Sequence, residues 1–151
     1  MDQISKERRS AVMSRVKGTG TQLEAALAQG LAERGLAGFE EQPAGIPGRP
    51  DFVHRDARLV IFVDSCFWHG CPQHLRRPSS NMVYWRQKIR RNRARDRRVS
   101  AELKAAGWRV ARIWEHSLRN PRGRKWWLTR IESLVAESVL EAPSRIESFQ
   151  I

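Results

Sequence analysis

Three stretches of the chain place their apolar residues at the spacing of an α-helix. The first opens with a Thr-x-x-Glu capping box and is predicted to run to about Arg34. The second covers residues 81–106, either as one long helix or as two helices broken near Arg93. The third covers residues 125–140 and follows a predicted loop at 120–123, where Pro and Gly occur.

Shorter apolar runs between these helices predict strands. Residues 39–42 are predicted to form a short strand, and residues 51–54 and 59–64 a β-hairpin. Residues 108–114 alternate well enough for a further strand, which can lie beside 59–64 in one sheet. Helices alternating with strands predict a fold of the α/β class.

The length and composition of the chain favour one folded domain. The 151 residues include 40% hydrophobic residues and six tryptophans, which is sufficient for a packed core. We predict a flexible basic segment at residues 1–18, a single domain at 19–141 and a polar tail at 142–151.

The charge balance indicates a polyanionic partner. The chain has 28 Lys+Arg against 16 Asp+Glu, a formal net charge of +12, and nucleic acid is the polyanion that such a protein most often binds. No apolar run approaches the ~20 residues of a membrane-spanning helix, and the N-terminus does not resemble a secretory signal. We therefore expect a cytoplasmic, nucleoid-associated protein with reduced cysteines and no membrane partner.

Two basic segments are candidates for DNA contact. The helix predicted at 81–106 is either a solvated charged face or a phosphate-binding surface, because few acids interrupt its positive charge. Near the N-terminus, Met13 is flanked by Arg15 and Lys17, and an apolar wedge between cations suits a DNA groove. A frayed terminus is the alternative for this second segment.

Both cysteines of the chain follow the strand predicted at 59–64. Two thiolates five residues apart, with an imidazole three residues later, are donors that a structural zinc ion binds in a tetrahedron. The preferred fourth donor follows the neighbouring strand, while His69 is left unbound and pointing toward Asp64. The alternatives are a buried cysteine pair with surface histidines, or a disulfide. The predicted zinc ligands are Cys66, Cys71, His74 and His116.

Acidic residues stand at the ends of the two hairpin strands. Asp51 and Asp64 are far apart in sequence, but the hairpin brings them to one sheet edge. Two carboxylates without a cation repel, and oxygen ligands with retained waters suit Mg²⁺. Glu24 is a candidate third group acting through a metal-bound water, and His69 is a candidate for proton transfer. The alternative is that these acids simply face solvent.

Two blocks of the sequence, residues 47–53 and 62–72, resemble the very-short-patch mismatch repair (Vsr) endonucleases. The most specific part is the run Phe67-Trp68-His69, and the resemblance extends over roughly residues 7–137. It implies a restriction-endonuclease-like fold, with a mixed central sheet flanked by helices and a structural zinc site. It also implies Mg²⁺-dependent nicking of DNA 5′ to the thymine of a T:G mismatch that arises from 5-methylcytosine deamination.

The resemblance also implies roles for individual residues. Asp51 matches the family's catalytic, metal-binding aspartate, His69 its catalytic histidine and Glu24 its helix glutamate. Two adjacent aromatic residues match those that enter the base stack beside the mismatch, and we expect them not to face one common core. The full set of expected DNA contacts is Phe67, Trp68, Met13, Arg15, Lys17, Arg49, Lys88, Arg91 and Arg95.

The chain departs from the best-known Vsr pattern at both metal sites. Asp64 stands where that pattern has a histidine, and Val63 where it has a hydroxyl residue. We therefore expect Asp64 to be a metal ligand rather than an acid–base group, with the main-chain carbonyl of Val63 as a further Mg²⁺ ligand beside Asp51. The order of the Cys and His residues in the zinc block also differs.

Two other functions are compatible with these observations. One is a Vsr-like nicking endonuclease of a restriction or phage-defence system with a different target. The other is a non-catalytic zinc protein that binds DNA. The expected partner is double-stranded, mismatched DNA bound by a monomer, and the candidate protein partners are mismatch-repair or methyltransferase-linked proteins.

Overall fold

The computed structural model describes residues 22–74 and 80–141. The elements in chain order are α1 (22–33), β1 (Phe39–Glu41), β2 (Phe52–His54), β3 (Leu59–Asp64), α2 (Met82–Ala105), β4 (Arg109–Trp114), α3 (Glu115–Arg119) and α4 (Pro121–Glu141). The predicted N-terminal segment 1–18 and tail 142–151 lie outside the described residues. Among the helices in the described ranges, none combines the length and the apolar character needed to cross a membrane.

The four strands form one mixed sheet with the order β1-β2-β3-β4. β2 and β3 form the predicted antiparallel hairpin, with Phe52 opposite Ile61, and β1 pairs antiparallel with β2. β4 lies parallel to β3, so that Asp64 at the end of β3 is level with Trp114 at the end of β4. The α/β class and the predicted strands are confirmed, although β1, β2 and β4 are each one residue shorter than predicted.

Apolar side chains cover both faces of β3. On one face, Leu59 and Ile61 belong to a core cluster to which α1 and α4 contribute. On the other face, Val60 and Phe62 pack with Leu103 of α2. Because both faces are buried, β3 has the continuous apolar sequence of an internal strand. The sheet therefore lies between α2 on one side and α1 with α4 on the other.

α2 is one continuous helix of 24 residues, which decides between the two predicted alternatives. Its buried residues, Trp85, Ile89 and Leu103, lie along one side of the helix. α2 also approaches the turn before Asp51, because a Cβ at Gly48 would lie 2.4 Å from the side chain of Val99. The helix is thus held close to the acidic residues at the sheet edge.

α4 begins at Pro121, so the predicted loop at 120–123 is wrong. Proline is well suited to the first position of a helix, where its missing N–H would have no partner within the helix. Asn120 supports this start, because its Oδ1 accepts the N–H of Arg122 at 2.9 Å. A Cβ at Gly123 would lie 2.3 Å from the carbonyl oxygen of Ser117, so the glycine allows close contact with α3.

Candidate active site and metal centre

The predicted site residues meet at the sheet edge where β3 and β4 end. Asp64 is the last residue of β3, and the metal loop, residues 65–74, follows it directly. His116 lies in α3, immediately after β4. Asp51 precedes β2 and donates its backbone N–H to the carbonyl of Ile61 at 2.9 Å. The parallel pairing of β3 and β4 therefore brings His116 to the metal loop, and the antiparallel pairing of β2 and β3 brings Asp51 to the end of β3.

The four predicted zinc ligands form one cluster, in which all the ligand atoms lie within 4.8 Å of one another. The Sγ of Cys66 is 3.3 Å from His116 Nδ1, and the Sγ of Cys71 is 3.7 Å from the same nitrogen. His74 Nδ1 is 3.8 Å from Cys71 Sγ. In a tetrahedral zinc site, the usual Zn–S and Zn–N bonds place sulfur and nitrogen about 3.6 Å apart. The donor set and its spacing therefore fit zinc.

Hydrogen bonds within the protein hold this cluster together. Cys66 donates its backbone N–H to Glu115 Oε1 at 3.2 Å, and Cys71 donates its backbone N–H to the Cys66 carbonyl at 2.9 Å. Burial raises the pKa of the Cys66 thiol to about 11, and Cys71 and Glu115 act in the same direction. Both cysteines are free thiols. A bound cation is therefore needed to keep Cys66 as a thiolate near neutral pH, which agrees with a metal-binding role.

A cavity of about 530 Å³ lies at the same sheet edge, and we call it the acidic cavity after its three aspartates, although three arginines also line it. It is bounded by the turn before β2, the end of β3 and the side of α2. No second group of three His, Cys, Asp or Glu side chains in residues 22–74 and 80–141 comes as close together as the zinc ligands. The titratable and basic residues that line the cavity are Arg49, Asp51, Asp64, His69, Arg95, Asp96 and Arg112.

Asp51 lies where carboxylates crowd together. Its Oδ2 accepts the backbone N–H of Val63 at 2.6 Å. Burial raises the pKa of Asp51 to about 7, and the nearby Glu24 and Asp64 contribute to the increase, against the effect of the Val63 N–H. Glu24 also accepts a hydrogen bond from Gln42 Nε2 at 3.1 Å. A divalent cation would relieve this repulsion, so these carboxylates fit the predicted Mg²⁺.

Asp64 has a cationic partner that the sequence pattern did not predict. Nη1 of Arg112 donates to both carboxylate oxygens, at 3.0 and 3.2 Å. Burial raises the pKa of Asp64, which is 5% exposed, whereas His69 and Arg112 lower it. Part of the negative charge of Asp64 is thus balanced within the protein. Its role as a Mg²⁺ ligand stays a prediction.

His69 contacts a carboxylate that the sequence pattern does not predict. Its Nδ1 lies 2.5 Å from Asp96 Oδ2 and 3.8 Å from Asp64 Oδ1. The carboxylate of Asp96 orients the imidazole and leaves Nε2 as the nitrogen available to a water or a phosphate oxygen. One signal was present in the sequence, because Asp96 is the single acidic residue within 82–101.

Phe67 and Trp68 both contact Trp85 of α2. Their ring centroids lie 5.3 and 5.6 Å from that of Trp85, and 5.0 Å from each other. The two half-buried rings therefore share Trp85 as a packing partner, and the expectation that they do not face one common core stays a prediction. A turn, unlike a strand, can present successive side chains to the same side. Asn92 fixes the turn to α2, because its Nδ2 donates to the Trp68 carbonyl at 3.0 Å.

Comparison with known proteins identifies the family. The family model described as DNA mismatch endonuclease Vsr matches residues 1–74. The chain is 42% identical over 119 residues to the DNA mismatch endonuclease Vsr of Escherichia coli (strain K12), which covers 78% of this chain and 76% of that protein. This chain belongs to the Vsr family of DNA endonucleases. Two further relatives are type II nicking enzymes. V.NaeI of Lentzea aerocolonigenes is 42% identical over 112 residues, which cover 72% of this chain and 68% of that protein. V.XorIIP of Xanthomonas oryzae pv. oryzae is 42% identical over 118 residues, which cover 78% of this chain and 86% of that protein.

The Vsr family match and the tertiary structure contribute different parts of the site. Residues 1–74 include Asp51 and the whole metal loop up to His74. Asp96, Arg112 and His116 lie beyond that match, and only the packing of α2, β4 and α3 brings them to the sheet edge. The fold therefore assembles the site from residues that are spread along the chain from Glu24 to His116.

A basic groove runs along α2 of this Vsr-family chain. The groove has a volume of about 570 Å³, and its lining includes Lys88, Arg91 and Arg95. Arg95 also lines the acidic cavity, so the groove and the cavity are neighbours on either side of this residue. Arg49 lies at the same cavity and is exposed. The groove and the cavity thus contain four of the predicted DNA contacts, while Met13, Arg15 and Lys17 lie outside the described residues.

Proposed function

We propose that this protein is a Mg²⁺-dependent mismatch endonuclease that nicks one strand of duplex DNA 5′ to the thymine of a T:G mismatch. One observation carries the proposal within the Vsr family. The carboxylate of Asp51 and the His69–Asp96 pair line one cavity. Arg95 lines both this cavity and the basic groove of α2. A phosphodiester that follows the groove would reach groups suited to its hydrolysis.

The Mg²⁺ ion would be held by Asp51, the main-chain carbonyl of Val63 and Asp64, with Glu24 acting through a water. When bound, it supplies positive charge to the phosphoryl and leaving oxygens. The remaining work falls to the protein's own groups. His69, oriented by Asp96 through Nδ1, takes a proton from the attacking water or gives one to the leaving oxygen at Nε2.

Mismatch reading is assigned to the aromatic pair in the metal loop. A flat ring inserted between base steps replaces lost stacking, and a wobble pair costs less to distort than a Watson–Crick pair. The ammonium of Lys88 lies 4.9 Å from the centre of the Trp68 ring, where it would meet the DNA backbone as the ring enters the stack. The zinc cluster fixes the loop, so that Phe67 and Trp68 enter the duplex at a set distance from the cleavage site.

A second candidate function is strand nicking at a different target, as in a restriction system. It is favoured by the two relatives named type II nicking enzymes, each 42% identical to this chain. The chemistry at Asp51 and His69 would be the same, and only the DNA sequence or mismatch recognised would differ.

The test is a panel of labelled duplexes that differ in one base pair. The purified protein is incubated with T:G, U:G and matched C:G duplexes, in Mg²⁺ and in EDTA. We expect Mg²⁺-dependent cleavage of one strand, 5′ to the thymine, with the matched duplex cut at least ~100-fold more slowly. Equal cutting of matched and mismatched duplexes would contradict mismatch recognition, and absence of cutting with every duplex would contradict the T:G target. Either result would favour the second candidate, whose target differs from those in the panel.

A further inference from the structure

Arg112 is a charged residue within an otherwise apolar stretch of β4. It pairs with Phe62 in the parallel register, and its guanidinium carbon lies 4.2 Å from the centre of the Phe62 ring. The side chain is 22% exposed. An aliphatic residue would cover Phe62 without the cost of desolvating a cation. Packing alone therefore does not account for an arginine at this position.

Protein groups occupy all three nitrogens of the guanidinium. Nε donates to Ser100 Oγ at 2.9 Å, Nη1 donates to both oxygens of Asp64, and Nη2 donates to the backbone carbonyl of Asp96 at 3.3 Å. Because these contacts engage the whole planar fork, the side chain is held in one orientation. It is placed to act on these protein groups, rather than directly on a DNA phosphate.

These contacts join two elements that carry the active-site residues. Asp64 ends β3, whereas Asp96 and Ser100 lie one turn apart on α2. The helical turn between Asp96 and Ser100 also contacts His69, because Asp96 Oδ2 is hydrogen-bonded to His69 Nδ1. A shift of this turn relative to β3 would move Asp96 away from the imidazole.

We propose that Arg112 is a positioning residue for DNA cleavage. It holds Asp64 on β3 and Asp96 on α2 at a fixed separation, and Asp96 in turn keeps His69 oriented. The inference rests on the proposed nicking function, but the orientation of His69 can be measured without cleavage.

Arg109 provides a matched control on the same strand. It is also an arginine of β4 held by hydrogen bonds, with Nη2 donating to the carbonyls of Ala57 at 3.0 Å and Leu134 at 2.6 Å. Its position, three residues before Arg112, places it on the opposite face of the sheet, and it does not line the acidic cavity. Arg109→Met therefore reproduces the loss of a hydrogen-bonded arginine without touching the site.

The first measurement is the single-turnover nicking rate on the preferred duplex, together with the Kd for DNA. In Arg112→Met we expect the rate to fall about 100-fold with the Kd within ~3-fold, because a displaced catalytic group costs rate and not binding. Arg109→Met is expected to nick within ~3-fold of the unmodified protein. Arg112→Lys is a second variant that retains the positive charge, in case Arg112→Met folds poorly. We expect its nicking rate to fall as well, because lysine lacks the planar fork of arginine.

The second measurement is the low-field proton NMR signal of the short His69–Asp96 hydrogen bond, assigned by its absence in His69→Gln. We expect the signal to be present in the unmodified protein and in Arg109→Met, and lost in Arg112→Met and Arg112→Lys. The proposal would be overturned if both Arg112 variants retain the signal, or if both nick within ~3-fold of the unmodified protein. A change in Kd without a change in nicking rate would also overturn it. If the unmodified protein cuts no duplex but the signal behaves as expected, the proposed function fails and the positioning of His69 by Arg112 stands.

Discussion

The Cys/His cluster and the acidic cavity lie at the same sheet edge, but they are organised in opposite ways. In the cluster, all four donors face one another, with ligand atoms within 4.8 Å. In the cavity, each site residue is hydrogen-bonded to a different protein partner. Asp51 is bonded to the N–H of Val63, Asp64 to Arg112, and His69 to Asp96. The cluster is closed on itself, whereas the cavity remains open to further groups.

This difference is the one expected between a structural metal site and a catalytic one. A tetrahedral zinc site is complete when four protein donors are in place, and it contributes directly to folding. A Mg²⁺ site retains waters and relies on substrate oxygens, so its protein donors need not converge as closely. The two sites should therefore respond differently when a donor is removed.

The largest expected effect follows loss of a cluster donor. Cys71 is 1% exposed, and Cys71→Ser replaces a sulfur ligand with a hydroxyl that binds zinc far less well. We expect the protein to lose its zinc and its melting temperature to fall by more than about 10 °C. Metal analysis and thermal unfolding measure both effects.

Gln73→Ala is the control for this change, because it alters an exposed residue of the same loop without removing a metal ligand. It is expected to retain one zinc per chain and to melt within ~2 °C of the unmodified protein. A Cys71→Ser protein that keeps its zinc and its melting temperature would mean that the cluster is not a structural metal site.

Loss of the central carboxylate should affect rate and leave the fold intact. In Asp51→Asn we expect the nicking rate to fall about 10³-fold or more, because the cavity would lose the charge proposed to hold the Mg²⁺ ion. Zinc content should not change. Asp56→Asn, an exposed acid in the β2–β3 turn, is the matched control and should cut normally. Nicking by Asp51→Asn at the normal rate would remove Asp51 from the proposed site.

A smaller effect is expected where the metal loop meets DNA. Trp68→Ala removes one of the two rings proposed to stack on bases, so affinity for the T:G duplex should fall by roughly 10-fold or more. Affinity for the matched duplex should change less, which can be measured by binding titrations of both duplexes. Trp126→Ala, a tryptophan of α4 that is 59% exposed, is the control. An equal loss for both duplexes would argue against mismatch reading by Trp68.

The smallest expected effect is the pH dependence of stability in Mg²⁺-free protein. The pKa of Asp51, about 7 in the fold, lies above its ordinary value of 3.8, so the folded state binds the proton more tightly than the unfolded state. Its contribution to stability is present at low pH and is lost as the pH rises through 7. Between pH 5 and pH 8 the melting temperature should fall relative to that of Asp51→Asn, by roughly 4 °C.

Addition of Mg²⁺ at pH 8 should reverse this loss in the unmodified protein and not in Asp51→Asn. A difference between the two proteins that is independent of pH would show that the carboxyl of Asp51 is not perturbed in the fold.

Several features of the fold followed from local pattern. The apolar run of β3 and the alternation of β4 each reflect the burial of strand side chains, and both strands formed where they were predicted. The start of α4 does not follow from local pattern, because Pro121 and Gly123 are residue types that usually indicate a loop. In the structure one begins the helix and the other allows α3 to approach it.

The sequence by itself determined the chemistry that is present: two cysteines and an acidic hairpin in a strongly basic chain, with a run that identifies the Vsr family. The tertiary structure decided which groups meet. His116 reaches Cys66 because parallel strands end at one edge, and Asp96 reaches His69 because α2 crosses that edge. Arg112 was visible only as an unexpected charge in a strand. Its partners lie 12 to 48 residues away along the chain, so no local pattern could reveal them.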